Sequence, residues 1–164
     1  MKPLTADDIR TSMVNATRGE VERMPLPGLH EVIWESREYL GWRDPRAPLR
    51  GYLVHWVGEV PVGIVLRASE TPLRPGITAM CSFCRTTQPG DQVRMFSAPR
   101  AGQAGRDGNT VGTYICSDLA CSHIIRIAPP ASPMVPDPAA AVAARADALA
   151  ERVRSFTAGV METR

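Results

Sequence analysis

Four cysteines are the residues of this sequence whose type and spacing could do chemistry. Cys81 and Cys84 form a C-x2-C pair in MCSFC, and about 30 residues later Cys116 and Cys121 form a C-x4-C pair in YICSDLAC. Such residues can build a disulfide frame, a redox dithiol or a metal site. The N-terminal stretch MKPLTADDIRTSM has no apolar leader region, and no stretch approaches the roughly 18 apolar residues needed to span a bilayer, so a cytoplasmic protein is expected. In that reducing compartment structural disulfides are disfavoured. A thioredoxin-like dithiol needs a βαβ setting and leaves the second pair without a role. One tetrahedral Zn²⁺ uses all four residues: each short loop can curl to bring two thiolates to about 2.3 Å from one ion, if a hairpin brings the pairs together. The spacing therefore predicts a single structural Zn²⁺ held by Cys81, Cys84, Cys116 and Cys121.

Four sulfurs close the coordination sphere, so no position stays open for the water or substrate of a catalytic zinc. AMCSFC also lacks the proline, and the upstream H-x-E carboxylate, of the zinc deaminases. His123 lies near Cys121, but with four thiolates in place it reads as a neighbour of the site or a surface residue. His30 and His55 read as ordinary residues of their elements. There is no G-x-S-x-G, and AGQAGRDGN lacks the Lys and Ser/Thr of a phosphate loop. No catalytic constellation remains, and a non-enzyme is expected.

The elements that must position the cysteines can be read on either side of them. Thr5 and Asp8 resemble a capping box, followed by Ile9, Met13 and Ala16 at helical spacing, which predicts a helix over about 5 to 23. GLHEVIWESREYLGW predicts a second helix, with Val32, Ile33, Trp34, Leu40 and Trp42 on its apolar side. RGYLVHWVGEVPVGIVLRAS then changes period, and Gly58 with Glu59 divides it into a β-hairpin. QVRMFSAPR and TVGTYIC read as two more strands joined by the polar loop AGQAGRDGN, so a hairpin separates the cysteine pairs. The second pair precedes SHIIRI, and its last cysteine can sit at a helix start, where free N–H groups support thiolate charge. A knuckle, a hairpin and a helix-borne pair form a treble-clef finger. The proline-rich stretch 129–138 is a stiff connector. Asp137 can then cap a helix with Pro138 at its first position, running to about Gly159. Along that helix Val142, Ala146, Leu149, Val153, Phe156 and Val160 recur at heptad spacing, a seam for a homodimer or for packing on its own domain. The fold class is α+β: N-terminal helices over 1–45, antiparallel hairpins and the finger over 46–128, the linker, and the C-terminal helix over 139–164.

Net charge is +2, and its distribution matters more than its size. Residues 81–128 hold five Arg against three Asp, while the segments before and after them balance. A zinc centre with four thiolates carries about −2 and returns the segment to neutrality, which argues against a bulk electrostatic grip on nucleic acid. Lys2 is the only lysine among 19 basic residues, so the arginines reflect coding bias more than phosphate binding. Within the hairpin between the pairs, Arg94, Phe96, Arg100, Arg106 and Tyr114 are of the types enriched at interface hot spots and are the candidate partner contacts. Alternation along a strand buries about half of such residues.

YLGWRDP, the hairpin after it, CSFC, VRMF, RDGN and YICSDLAC together resemble the elongation factor G-binding family, also called FBP-domain or FusB-type proteins, with a C-terminal treble-clef zinc finger. The likeness covers roughly residues 30–127. It implies a partner, translation elongation factor G, bound through the zinc-containing domain, and a role in releasing that factor from the ribosome as in fusidic acid resistance. The alternative from another class is a treble-clef module that binds RNA or the ribosome directly through its arginines and aromatics.

Overall fold

The computed structural model describes residues 1–162. Two short helices, α1 (Ala6–Ser12) and α2 (Arg18–Arg23), precede β1 (Leu40–Arg43), β2 (Arg50–Val57), β3 (Val60–Ala68), β4 (Thr78–Met80), β5 (Thr87–Pro89) and β6 (Val93–Pro99). They are followed by α3 (Gly102–Arg106), β7 (Thr110–Cys116), α4 (Cys121–Ile124) and the long α5 (Pro138–Met161). A five-stranded antiparallel sheet runs in the order β1-β2-β3-β6-β7, with β4 and β5 as a separate two-stranded ribbon.

The two faces of the sheet carry two apolar layers, as period-2 alternation requires. Leu53, Ile64, Leu66, Phe96, Ala98 and Ile115 face α5, which contributes Leu149, Val153 and Val160, all fully buried. Burial of each such side chain stabilises by about 1.5–3 kcal/mol. Tyr52, Val54, Leu40 and Trp42 line the opposite face beneath Leu4, Ile9 and Met24 of the N-terminal segment. The Trp42 and Tyr52 rings stack there at 5.1 Å. The heptad seam of α5 is thus spent on the chain's own sheet, with Ala146 and Phe156 partly buried beside it. His55 on β2 meets Thr157 of α5, its Nε2 2.8 Å from the hydroxyl oxygen, and burial, reinforced by the Arg154 charge, lowers its pKa to about 4. Asp137 caps α5 by accepting the Ala140 N–H, with Pro138 in the first turn, as the sequence predicts.

Two expectations fail near the N-terminus. The helix expected over 5–23 is two helices, each with its own capping box, Thr5/Asp8 and Thr17/Glu20. Tertiary pairing breaks it: Met13 bridges Gly63, the Val14 N–H donates to the Gly63 carbonyl, and the Asn15 side chain accepts the Val65 N–H. Asn15 Nδ2 also donates to the carbonyls of Val65 and Pro99. It spans a split in the sheet, because β3 and β6 pair only through Arg67–Ser97 and Ala68–Phe96. The second expected helix is absent. Residues Leu29–Glu31 and Trp34–Ser36 form single 3-10 turns, and Leu40–Arg43 is the edge strand β1. Leu40–Arg43 instead pairs residue by residue with Gly51–Val54 of β2, a ladder that a helix would forfeit.

Candidate metal centre

The first cysteine pair sits between β4 and β5. The Arg85 N–H donates to the Cys81 carbonyl and the Cys81 N–H to the Thr86 carbonyl, so the chain turns back on itself with both sulfurs inward. The Cys84 N–H points at the Cys81 sulfur at 3.5 Å. The second pair is built from the other side: Cys116 ends β7, and Cys121 opens α4. Between them the Leu119 N–H donates to the Cys116 carbonyl, and the Asp118 carboxylate accepts the Ala120 N–H. The β6–β7 hairpin between the pairs brings the two knuckles together, the arrangement expected of a treble clef.

All four sulfurs lie within 4.8 Å of one another, with Cys81–Cys121 and Cys84–Cys116 at 3.6 Å. A tetrahedron with metal–sulfur bonds of about 2.3 Å has edges of about 3.8 Å, so the set fits one Zn²⁺. None of the four residues is more than 6% exposed. Sulfurs this close share their protons. Hydrogen bonds from the neighbouring thiols, Cys116 first, hold Cys84 well below the ordinary thiol range, whereas the contact with Cys116 and the buried setting push Cys121 well above it. A divalent cation relieves that conflict by replacing the protons and binding four thiolates. Bound there, zinc supplies a cross-link between two knuckles 32 to 40 residues apart in sequence.

A surrounding shell fixes the sulfurs. Gln88 Nε2 reaches the Cys116 sulfur at 3.3 Å and donates to Thr86 Oγ1 at 2.8 Å, and Thr86 Oγ1 lies 2.9 Å from the Cys84 sulfur. The buried Tyr39 hydroxyl accepts the Cys121 N–H at 3.4 Å; burial and the adjacent Cys121 sulfur raise its pKa well above that of a free phenol. Arg126 forks onto Glu38 at 2.7 and 2.9 Å, and the Ser122 hydroxyl accepts the Glu38 N–H, which ties α4 to the chain entering β1. Burial works to raise the Glu38 pKa, but hydrogen bonds from Arg126 and Ser122 outweigh it and the net shift is downward. Sequence reasoning missed these residues. The T-x-Q alternation entering β5 directly after the first pair, which puts Thr86 and Gln88 on one side of the chain beside the sulfurs, is the signal that could have found them.

The candidate partner contacts scatter. Phe96 is completely buried in the core and cannot meet a partner; its alternation places it under α5, beside Arg43. Arg94 is committed to the Ser69 and Glu70 carbonyls, and Arg100 to the Gly159 and Glu162 carbonyls at the end of α5. Arg106 and Tyr114 are exposed. Arg37 and His123 touch each other at the foot of α4, away from the sulfurs.

The knuckle, hairpin and helix-borne pair define a treble-clef zinc finger. This chain belongs to the family of FBP C-terminal treble-clef zinc-finger proteins, whose model matches residues 8–160. Among solved structures, that of the fusidic acid resistance protein FusC shares the fold at 15% identity and a TM-score of 0.53. The match covers 85% of this chain and 53% of FusC, so this chain spans about half the length of that protein. No curated protein sequence matches significantly. Among the described residues no helix is long and apolar enough to cross a membrane.

Proposed function

We propose that this protein binds translation elongation factor G through its zinc-fixed sheet and promotes release of the factor from the ribosome. The observation that carries this reading is membership of the FBP zinc-finger family across nearly the whole chain, supported by a fold in common with a protein of fusidic acid resistance. The centre is suited to a structural role, since four buried thiolates complete a tetrahedron. A binder of this kind needs no chemistry. It shifts the factor toward its released conformation by as much as its affinity for that conformation exceeds its affinity for the ribosome-held one. Exposed Arg106 and Tyr114 stay in this reading as contacts. Calorimetric titration of the zinc-loaded protein into purified elongation factor G, without ribosomes, tests it. Saturable one-to-one binding that survives raised salt is expected; no binding at micromolar concentration by folded protein refutes it.

A further inference from the structure

β7 is an edge of the main sheet, and along its outer side only Ser82 makes a backbone bond to it between Thr110 and Tyr114 among the described residues. The Ser82 N–H donates to the Tyr114 carbonyl from outside the sheet, so even-numbered residues of β7 direct their main-chain groups away from β6. By that parity the N–H and C=O of Gly112 and the N–H of Tyr114 point outward, and no backbone partner occupies them among the described residues. Natural sheets blunt such edges with proline, charge or a bulge. From Thr110 to Cys116 this strand has neither proline nor a charged residue.

Beside that edge, along one flank of α5, runs a groove of two hollows divided by the Arg152 side chain, which lines both and donates to the Phe83 carbonyl. Its first part, 290 Å³, is floored by Phe83 and Phe156 and walled by Gly112, Thr113 and Arg152. Its second part, 360 Å³, shares Arg152 and adds Arg85 and Arg145 next to the first knuckle. Arg152 donates to the Phe83 carbonyl and Arg145 to the Ile127 carbonyl, while the Arg85 side chain makes no hydrogen bond among the described residues. None of the ion pairs of the described residues includes any of the three. Of the acids on this stretch of α5, Glu151 pairs with Arg154, and Asp147 does not line the groove.

Arg85 carries a second oddity. Its φ is +60°, in the left-handed region where glycine is at ease and other residues are strained by about 1 kcal/mol or more. The only other such non-glycine residue among those described, Leu119, is buried in the core, which accounts for it. The knuckle turn, closed by the Arg85 N–H on the Cys81 carbonyl, sets this φ; the arginine side chain is exposed and no hydrogen bond among the described residues holds it there.

We infer that the groove between the β7 edge and α5 receives an extended acidic segment of a partner protein, which adds a strand to β7 and sets its carboxylates against Arg85, Arg145 and Arg152. Open main-chain groups give the register, the two phenylalanines an apolar floor, and three guanidiniums without a carboxylate partner the charge preference. An extended polypeptide uses all three features, whereas a phosphate backbone uses only the last. The inference does not depend on the identity of the partner proposed above.

The test uses the zinc-loaded full chain and a short fluorescein-labelled Glu–Val peptide with Thr at every second position, so that Val and Glu share the face turned to α5, read by anisotropy, with amide exchange followed by NMR. Binding should protect the Gly112 and Tyr114 amides, and alternate N-methylation of the peptide should abolish it. A Lys–Val peptide should not bind. Arg85→Gly, which suits the backbone at this position, should weaken binding about fivefold without loss of fold. Equal binding by the N-methylated peptide, or unchanged affinity in R85G, overturns the inference. So does binding of oligouridylate in place of the Glu–Val peptide, which would make the groove a phosphate site. Success here with failure of the elongation factor titration would leave the groove assigned and remove the proposed partner.

Discussion

The two cysteine knuckles hold the same ion and are anchored in opposite ways. Cys116 and Cys121 belong to the sheet and its core: Leu119, between them, is buried, its carbonyl and Cβ lie against Gly41 of β1, and Tyr39 and Glu38 secure α4. Cys81 and Cys84 sit on the β4–β5 ribbon, which pairs only with itself; this knuckle is tied to the rest by the Ser82 N–H on the Tyr114 carbonyl, by Phe83 packed between Tyr39 and Phe156, and by Arg152 on the Phe83 carbonyl. Both turns pass through a left-handed residue, Leu119 facing inward and Arg85 outward. A treble clef therefore needs the metal unequally. One knuckle is built into strands of the main sheet, and the other, held by one buried ring and its own ribbon, depends more on the ion.

Removing zinc should expose the inequality most strongly. Structural zinc sites contribute on the order of 10 kcal/mol of binding free energy to folding. Chelation should strip exchange protection from residues 78–89 first and from 116–125 only later; simultaneous loss in both would show that the knuckles are equivalent. Gly41→Ala strikes the packed knuckle instead. A Cβ there would stand 2.6 Å from the Leu119 carbonyl oxygen and 2.9 Å from its Cβ, so a cost of about 3 kcal/mol is expected in denaturant unfolding. An unchanged midpoint would mean that the second knuckle is not held by this contact.

Gln88→Ala probes the metal-dependent side more gently. Loss of its N–H donor to the sulfurs should weaken zinc affinity about tenfold in a competition titration, with little change in the stability of the zinc-saturated fold. The smallest effect has the opposite sign. Arg85→Gly should stabilise the protein by about 1 kcal/mol through relief of the left-handed strain, whereas Leu119→Gly should destabilise it, because its side chain is core. Stabilisation by both substitutions would erase the distinction between the knuckles.

The metal site was legible because ligand chemistry acts through residue type and spacing, and the four cysteines leave little freedom. The β2–β3 hairpin and the cap of α5 were legible for a similar reason: Gly58 with Glu59, and Asp137 with Pro138, are local instructions that the fold obeys. The stretch 28–43 was misread because its apolar residues other than the exposed Ile33 are covered by distant partners. Trp42 stacks on Tyr52, and its indole N–H reaches the Pro25 carbonyl, contacts that no periodicity announces. Phe96 failed as a contact residue because composition cannot say which face of a strand is covered. The seam on α5 shows the same ambiguity in helical form: a heptad stripe states that a face is buried and leaves open what buries it.

The split between β3 and β6 bears on how the chain acquires its fold. On one side, β1, β2 and β3 are consecutive strands joined by short connections; on the other, β6 and β7 close a hairpin that carries the finger. Each unit can assemble from contacts close in sequence, the quick part of any folding reaction. Their junction spans two residue pairs, the bonds of Ser69 to Met95 and Arg94, and one asparagine, whose amide links positions 50 and 84 residues away. Asn15 is then a latch between two pieces that each pair locally, and Asn15→Ala is expected to slow refolding more than it speeds unfolding.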